Sequence, residues 1–471
     1  MRLAPARITI SALRGGSGKT IVSLGLISAA KELGLCVASF KKGPDFIDAG
    51  WLSFASGAPC HNLDPFLMTK GQILCSFISN SKNADLCLIE GNRGLFDGVD
   101  LKGTCSTAEL CMTLASPLIL IVDATMVTRT IAALVKGCQS FEPDLKLAGI
   151  IINKVATKRQ EKLIRQAIEY YCSIPVVGSI PRLKESPFPE RHMGLVPYHE
   201  SEVARQAIQW ATNLVKDNLD MGLIIKIAQS AGPISYPPDY QDNTKPNEYQ
   251  QEQIKIGIIR DRIFWFYYPE NIKSLERLGA KIVEVNSLEN KLLPEIDALY
   301  IGGGFPETQA SALAANEAFR QDLRQKIDQG LPVYAECGGF MFLGQNLLID
   351  HAKYPMVGAI PLDFALEKKP QGHGYTLLEA IRENPYYSRG EKIKGHEFHY
   401  SRPIVRKKEG LSFVFRVLRG HGIDGDKDGL SIKNLLGTYT HVHAGGDASW
   451  AKRLLKVAKA VRFRRKISQS G

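Results

Sequence analysis

Short, continuously apolar runs alternate with longer segments of helical periodicity in the first half of the chain. The apolar runs lie at residues 7–11, 35–40, 85–90, 117–124 and 147–155. Strands of this kind are buried on both faces, which is typical of a parallel sheet covered by helices. The pattern therefore predicts an α/β fold for this half.

The same alternation begins again after a polar, proline-rich stretch. Residues 236–252 read YPPDYQDNTKPNEYQQE and contain no aliphatic side chain, as is typical of a linker. Strand-like runs follow at 254–260, 280–285, 297–304 and 331–339. We predict two α/β domains, at residues 1–235 and 254–450, with a linker at 236–253 and a basic tail at 451–471.

Composition supports a globular protein. The chain has 471 residues, 44% of them hydrophobic and 23% charged, which is enough apolar material for two or three domains. It has no uncharged apolar run long enough to cross a membrane, and its start reaches glycines before a signal-peptide core could form. Nine cysteines without a CxxC pair fit a reducing compartment. We therefore expect a cytoplasmic protein without a membrane partner.

The net charge of +11 is concentrated at the C-terminus. Residues 451–471 carry eight basic side chains and no acidic one. Leu454, Leu455, Ala458 and Val461 recur there at helical spacing, which predicts an amphipathic helix with a solvated basic face. Binding of a nucleic acid or of another acidic ligand is the alternative, and we do not expect a nucleic-acid partner.

A phosphate-binding loop is predicted at the end of the first strand. Residues 7–20 read RITISALRGGSGKT, so a strand leads through a glycine-rich turn into a helix. Such a loop directs backbone N–H groups at phosphate oxygens, while the lysine reaches the β- and γ-phosphates and the threonine hydroxyl can bind magnesium. The sequence thus predicts an ATP and Mg²⁺ site that contains Gly15, Gly16, Gly18, Lys19 and Thr20.

Phosphoryl transfer also needs carboxylates that hold magnesium near the γ-phosphate. Asp45 and Glu90 are the candidates, and Glu90 stands at the end of a predicted strand, where the active sites of open parallel sheets lie. Asp123 also ends a strand, but a single acid at such a place is commonly only a cap. We therefore predict Thr20, Asp45 and Glu90 as magnesium ligands.

Cys337 is the candidate nucleophile of the second half. It stands in LPVYAECGGFMFLG, where a strand turns sharply into a helix whose N-terminus should lower the pKa of the thiol. His441 and His443 are candidate bases on one face of a predicted strand, and Gly303 and Gly304 are candidate oxyanion donors. Alone, the cysteine could be buried filler and the HxH pair a surface strand or a metal site. Together these residues predict acyl transfer through a thioester.

Several longer segments carry a resemblance to a known family. They read KKGPDFIDAGWLSFASGAPCHNLD at 41–64, IEGNRGLFDG at 89–98, PERHMGLVP at 189–197, YIGGGFPE at 300–307 and YAECGGFMFLG at 334–344. The chain resembles the cobyrinic acid a,c-diamide synthases, which are glutamine-dependent ATP amide ligases of corrinoid biosynthesis. The resemblance implies a dethiobiotin-synthetase-like P-loop domain followed by a class I glutamine amidotransferase domain.

The resemblance also implies roles for individual residues. Asp45, Asp48, Glu90 and Asp97 would belong to the magnesium, ATP and substrate site. Cys337 would be the glutaminase nucleophile and His441 its base. Arg191 and His192 of PERHMGLVP are our first choices for steering an anionic tetrapyrrole polycarboxylate into its site, because basic groups attract such a substrate.

Two departures from the family pattern bear on the substrate. Arg14 stands in the phosphate loop, and the closing motif reads HVHAGG. Position 443, where many class I amidotransferases carry an acid that orients the base, holds histidine, as is common in the family that the chain resembles. Relatives amidate siroheme or nickel-sirohydrochlorin instead of a corrin, so these substrates are alternatives, and a homodimer is left open. An alternative of a different class is a nucleotide switch of the partition-ATPase kind, which shares the GGxGKT loop but has no need of an amidotransferase elbow.

Overall fold

A computed structural model of the chain describes residues 2, 3, 5–183, 187, 188, 190, 191, 194, 195, 201–235, 253–405 and 411–470. The chain divides into two compact units, Met1–Asp242 and Asn243–Gly471. Both units contain parallel strands and helices, which confirms the predicted α/β fold class.

The first unit is built on a seven-stranded parallel sheet with the strand order β4-β3-β5-β2-β6-β7-β8. The described strands of this unit are β1 Arg2–Leu3, β2 Arg7–Ala12, β3 Val37–Lys42, β4 His61–Leu63, β5 Leu86–Glu90, β6 Leu118–Asp123, β7 Leu147–Val155, β8 Val176–Pro181, β9 Glu190–Arg191, β10 Gly194–Leu195 and β11 Ile234–Ser235. The described helices are α1 Lys19–Glu32, α2 Phe46–Ser56, α3 Lys70–Ser81, α4 Thr107–Thr113, α5 Thr130–Phe141, α6 Lys158–Cys172, α7 Ser201–Asn218 and α8 Met221–Gln229.

The continuous apolar runs become the buried centre of this sheet. Every residue of β2 and β5 is buried, as is all of β6 except its last residue. Because β3, β5, β2 and β6 are neighbours and run parallel, their carboxyl ends lie side by side at one edge. The phosphate loop, Glu90 and Asp123 follow or end three of these strands, so the sheet order brings candidate residues to one edge.

The second unit contains a ten-stranded mixed sheet with the order β14-β12-β15-β17-β26-β25-β24-β21-β22-β27. The first five strands of this order, from β14 through β12, β15 and β17 to β26, run parallel, and the remaining neighbouring pairs are antiparallel. The described strands are β12 Lys255–Ile259, β13 Phe264–Phe266, β14 Lys281–Val285, β15 Ala298–Ile301, β16 Gly303–Gly304, β17 Val333–Glu336, β18 Asn346–Ile349, β19 Ala352–Pro355, β20 Asp363–Leu366, β21 Gly372–Ala380, β22 Lys392–His399, β23 Ser401–Ile404, β24 Phe413–Arg419, β25 Lys427–Ile432, β26 Leu435–Thr438 and β27 His441–Val442. The described helices are α9 Pro269–Arg277, α10 Ala310–Ala315, α11 Glu317–Asp328, α12 Gly338–Phe342 and α13 Trp450–Ser470.

The basic C-terminal segment is the helix α13, and it belongs to the core of the second unit. The positions that recur at helical spacing, Leu454, Leu455, Ala458 and Val461, are all buried. The helix therefore has the apolar face that the sequence predicts. No helix among the described residues is both long and apolar enough to span a membrane.

Candidate active sites

The loop between β2 and α1 has a backbone conformation that suits a phosphate cradle. Gly16 and Gly18 have φ angles of 68° and 89°, in the left-handed region that glycine adopts without strain. A Cβ atom on Gly18 would lie 2.7 Å from Nδ2 of Asn153. That amide donates to the Ser17 carbonyl oxygen at 2.9 Å, so it is held against the loop. Gly15 faces open space.

Lys19 is the first residue of α1, and its side chain is buried. Its Nζ donates to the carbonyl oxygens of Arg14 (3.1 Å) and Arg93 (2.8 Å). Burial and then the nearby Lys41 ammonium lower the pKa of Lys19. Both hydrogen-bond acceptors are backbone carbonyls in the loops that follow β2 and β5, whose carboxyl ends lie at the same sheet edge. The ammonium is therefore fixed at the phosphate loop.

A buried lysine that the sequence analysis did not select joins the predicted carboxylates. Lys41 in β3 lies opposite Glu90 in β5. Its Nζ is 2.6 Å from Oδ2 of Asp48 and 2.7 Å from Oε1 of Glu90. The Thr20 hydroxyl donates to the same Glu90 oxygen at 2.9 Å. The structure thus brings together Thr20, Asp48 and Glu90 around a lysine.

Burial and mutual charge set the protonation of this cluster. Asp45 caps α2 by accepting the Asp48 N–H at 3.0 Å. Burial, together with the Asp48 charge, raises the pKa of Asp45 to about 7, and burial also raises the pKa of Glu90. Burial acts on Asp48 in the same sense, but the charge and the hydrogen bond of Lys41, together with the hydrogen bond from Asp45, outweigh it, so the pKa of Asp48 is lowered. Near neutral pH, Asp48 is therefore ionised whereas Asp45 is still partly protonated.

The raised pKa of Asp45 predicts a stability contribution that falls as the pH rises. The carboxyl group has a pKa of 3.8 in the unfolded chain and about 7 in the folded one, so the folded state holds the proton more tightly. The contribution is complete below the unfolded value and is lost as the pH rises through the folded value. The Asp45→Asn variant keeps a neutral cap. We therefore expect its apparent Tm, relative to that of the parent, to be higher at about pH 8 than at about pH 5.

Calorimetry at the two pH values checks this expectation. Asp48→Asn is the matched control, because the lowered pKa of Asp48 gives a contribution of the opposite sign, present at high pH and lost as the pH falls. An equal Tm difference between the Asp45→Asn variant and the parent at both pH values would contradict the account.

Glu90 has a feature that fits a magnesium ligand. Its Oε1 accepts hydrogen bonds from Lys41 and Thr20, whereas its Oε2 is buried and accepts none from the described residues. A buried carboxylate oxygen of this kind calls for a partner. The described residues contain no group of three or more Asp, Glu, His or Cys side chains arranged for a metal. Magnesium needs only one or two protein carboxylates when phosphates and water complete its shell, so Thr20, Asp45 and Glu90 fit.

The other predicted site residues of the first unit are Asp97, Arg191 and His192. Asp97 accepts the N–H of Gly94 at 2.9 Å and thereby holds the loop after β5. Arg191 lies in the two-residue strand β9, and His192 lies outside the described residues. The predicted steering role of this basic pair stays a prediction.

Asp123 at the end of β6 links three segments by ion pairs. Its Oδ2 is 2.8 Å from Arg14 of the phosphate loop and 3.0 Å from Lys154 of β7. A cavity of about 470 Å³ opens beside this edge of the sheet, lined by Ala124, Thr125, Met126, Val127, Thr128, Thr130, Lys154, Ala156, Thr157, Gln160 and Arg182. Its volume lies in the range of small-molecule sites.

Cys337 of the second unit sits at a strained turn between β17 and α12. Its φ and ψ angles are 46° and −104°, which few residues other than glycine adopt. Its N–H donates to the Thr438 carbonyl oxygen at 2.8 Å. A Cβ on Gly338 would lie 2.6 Å from the Gly304 carbonyl oxygen, so glycine after the cysteine allows a close approach of the two loops. This is the geometry of a nucleophile elbow.

The Cys337 thiol does not have the lowered pKa that the sequence predicts, because burial outweighs the hydrogen bond from the Gly338 N–H at the start of α12, which acts in the predicted direction. Burial raises that pKa well above its ordinary value, and the negative charge of Glu307 acts in the same direction. Cys337 is 4% exposed, and α12 has only five residues. A nucleophilic role for this thiol would therefore require a base that removes its proton.

The two candidate bases have different surroundings. The strand that was expected to carry both on one face ends at Val442, because the chain turns at His443, whose carbonyl accepts the N–H groups of Gly446 and Asp447. His441 is buried, with Nδ1 3.3 Å from Oε2 of Glu336, the residue before Cys337. Glu336 is not among the site residues that the sequence predicts.

His443 is engaged elsewhere. Its Nδ1 accepts the Gly445 N–H at 3.0 Å, and its Nε2 is 3.5 Å from Oε2 of Glu270 in α9. Its ring meets the Tyr268 ring edge-on, with centroids 4.3 Å apart. The neighbouring Glu336 carboxylate therefore makes His441 the better candidate for the base.

The predicted oxyanion glycines pack against His441 and against Gly338, the residue after Cys337. Gly303 and Gly304 form β16, which pairs with β13. A Cβ on Gly303 would collide with Cε1 of His441, and one on Gly304 would collide with the Ile263 carbonyl oxygen. Only glycine therefore fits at position 303, beside the candidate base, and at position 304, in the loop that contacts Gly338.

Comparison with known proteins agrees with this geometry. Residues 8–196 match the CobQ/CobB/MinD/ParA nucleotide-binding domain, and residues 255–449 match the CobB/CobQ-like glutamine amidotransferase domain. Both predicted domain types are confirmed. The two domains define the class: a glutamine-hydrolysing, ATP-dependent amide ligase.

Similar proteins identify the family. A cobyrinate a,c-diamide synthase of Magnetococcus marinus is 40% identical over 455 residues, covering 96% of each chain. One of Archaeoglobus fulgidus is 40% identical over 464 residues, covering 97% of this chain and 99% of the relative. One of Methanobrevibacter smithii is 34% identical with the same coverage of 97% and 99%. The chain belongs to the cobyrinate a,c-diamide synthase family, which confirms the resemblance.

Proposed function

We propose that this protein converts the a and c acetate side chains of cobyrinate, a tetrapyrrole polycarboxylate, to amides with ATP and glutamine. The observation that carries the proposal is the match over nearly the whole length of relatives with that name, since it covers both domains. The arrangement of charged and nucleophilic residues in each unit supports it.

The first unit would activate the carboxylate. A carboxylate is a poor electrophile, so phosphorylation by ATP to an acyl phosphate makes it reactive, and ammonia then displaces phosphate. Lys19 would bind the β- and γ-phosphates from the cradle formed by Gly15, Gly16 and Gly18 and stabilise the charge that develops on the transferred group. Asp48, Asp97, Arg191 and His192 are the residues we assign to the tetrapyrrole.

Thr20, Asp45 and Glu90 would hold magnesium. When bound, the ion supplies positive charge to the phosphate oxygens. Lys41 holds Glu90 and Asp48 in place through one ammonium group, which neutralises part of the negative charge that these acids contribute. Without it, repulsion between the acids and the ATP phosphates would oppose binding.

The second unit would supply ammonia. His441 takes the Cys337 thiol proton, and the thiolate attacks the side-chain amide carbon of glutamine. Backbone N–H groups at Gly303 and Gly304 would stabilise the oxyanion of the tetrahedral intermediate. The C–N bond then breaks, the leaving nitrogen receives the proton from His441, and water hydrolyses the glutamyl thioester to glutamate.

A panel of substrates tests the proposal. The purified protein is incubated with ATP, Mg²⁺ and glutamine, and in separate reactions with cobyrinate, siroheme or nickel-sirohydrochlorin. Mass spectrometry then counts the amides formed. We expect two amides on cobyrinate at a kcat/KM above that of the other macrocycles. A higher kcat/KM with siroheme or nickel-sirohydrochlorin would assign the protein to that substrate instead.

A further inference from the structure

A histidine base needs a partner that fixes its ring orientation and its tautomer. In the second unit, position 443 holds a histidine that is occupied by Gly445 and Glu270. Glu336, by contrast, places Oε2 3.3 Å from Nδ1 of His441. Both side chains are buried, with 2% of each exposed.

We infer that Glu336, the residue immediately before the nucleophile, is the positioning carboxylate of the glutaminase site. An ionised carboxylate only accepts hydrogen bonds, so Nδ1 of His441 carries the proton and Nε2 carries the lone pair. Nε2 is then the nitrogen that receives the proton of Cys337. The inference rests on the proposed glutamine hydrolysis and adds a third residue to it.

Both oxygens of the Glu336 carboxylate are anchored. Oε2 accepts the Tyr300 hydroxyl at 3.1 Å, and Oε1 accepts the Val442 N–H at 3.2 Å. Asn271 extends the network, because its Nδ2 donates to the Tyr300 hydroxyl oxygen at 3.1 Å and to the Val442 carbonyl at 2.8 Å. The carboxylate therefore fixes the backbone next to His441 as well as its ring.

The location of Glu336 couples the base to the nucleophile. Glu336 ends β17, and Cys337 is the next residue, at the strained turn. Strand β17 pairs with β26, with Glu336 opposite Thr438, so the chain that leads to His441 lies beside the elbow. One backbone segment thus positions the thiol and, through the Glu336 side chain, the base.

The other titratable side chains around His441 add no charge beside the pair that His441 forms with Glu336. His396 of β22 stacks on His441 with ring centroids 5.0 Å apart, and burial lowers its pKa well below the ordinary value, so it is neutral. Tyr300 of β15 is neutral too, because burial raises its pKa. His443 of the same chain segment faces Glu270.

Replacement of Glu336 by glutamine tests the inference, with Glu270→Gln as the matched control beside His443. We expect Glu336→Gln to lower kcat for glutamine hydrolysis roughly 10²- to 10⁴-fold, with a small change in KM. The acid limb of its pH profile for kcat/KM should move to lower pH, since loss of the carboxylate charge destabilises the imidazolium. Glu336→Asp keeps the charge, so its limb should stay in place while kcat falls by an intermediate factor.

The outcomes separate this inference from the proposed function. If the parent hydrolyses glutamine and Glu336→Gln has the same kcat and the same acid limb as the parent, the positioning role is overturned and the proposed function stands. An equal loss in Glu270→Gln would also overturn the positioning role. If the parent does not hydrolyse glutamine, both the positioning role and the proposed function are overturned. If Glu336→Gln does not fold, Glu336→Asp decides, and a kcat within about twofold of the parent would overturn the inference.

Discussion

Replacement of Cys337 by alanine should abolish amidation with glutamine and leave amidation with ammonium salts at the rate of the parent. The thioester needs the Sγ nucleophile, whereas displacement of phosphate from the acyl phosphate needs only ammonia. We expect glutamine hydrolysis to fall by at least about 10³-fold. Parallel assays of amide formation with the two nitrogen sources measure both effects.

Cys138→Ala is the matched control for this variant. Cys138 is also a buried cysteine whose pKa is raised by burial, but it lies in α5 of the first unit, away from the elbow. Its replacement should leave both nitrogen sources usable. Loss of both activities in a folded Cys337→Ala variant would refute the assignment of ammonia production and carboxylate activation to separate sites.

Replacement of Lys19 by alanine should lower the rate of amidation with either nitrogen source by roughly 10³-fold or more. The reason is that the charge on the transferred phosphoryl group loses its ammonium partner. Glutamine hydrolysis should persist, since Cys337 and His441 lie in the other unit. Steady-state assays of ADP release and glutamate release measure the two reactions.

Lys31→Ala is the control, because Lys31 lies in the last turn of the same helix and its Nζ donates to the Ala55 carbonyl. It should retain amidation. A Lys19→Ala variant that amidates at the parent's rate would contradict the phosphate-loop assignment. Near-normal ATP-dependent turnover in Glu90→Ala would likewise contradict the magnesium assignment.

The fold could be predicted from the sequence because its strands are continuously apolar. The run at 117–124 becomes β6, Leu118–Asp123, and the run at 331–339 contains β17 and the elbow. Local pattern is sufficient for such elements, since a parallel strand that is buried on both faces is recognised by its near-continuous apolar run. The phosphate loop was found for a similar reason: its glycines and Lys19 are contiguous.

Lys41 and Glu336 were missed because their roles depend on strand pairing. Lys41 meets Glu90 only because β3 lies next to β5 in the sheet, which joins residues that are distant in sequence. Glu336 meets His441 through the neighbouring strands β17 and β26. A lysine and a glutamate at the ends of buried apolar strands were the available signal, because a charge at such a place requires a partner.

The error over the Cys337 thiol has a different cause. The expectation considered one local effect, the helix N-terminus, and not the burial of the thiol beneath neighbouring chain segments. The expectation for His443 extended a strand across residues where the backbone turns. Burial by tertiary structure thus decides the pKa of the thiol, whereas a local turn, in which the His443 carbonyl accepts the Gly446 and Asp447 N–H groups, ends the strand before His443.

The central claim is that one chain hydrolyses glutamine and uses the nitrogen to amidate cobyrinate at the expense of ATP. Transfer of label from glutamine carrying ¹⁵N in its side-chain amide tests it most directly, with mass spectrometry of the tetrapyrrole product. The account predicts two labelled amides per molecule, formed only when ATP is present and not formed by Cys337→Ala. Product without label, or labelled product formed in the absence of ATP, would contradict it.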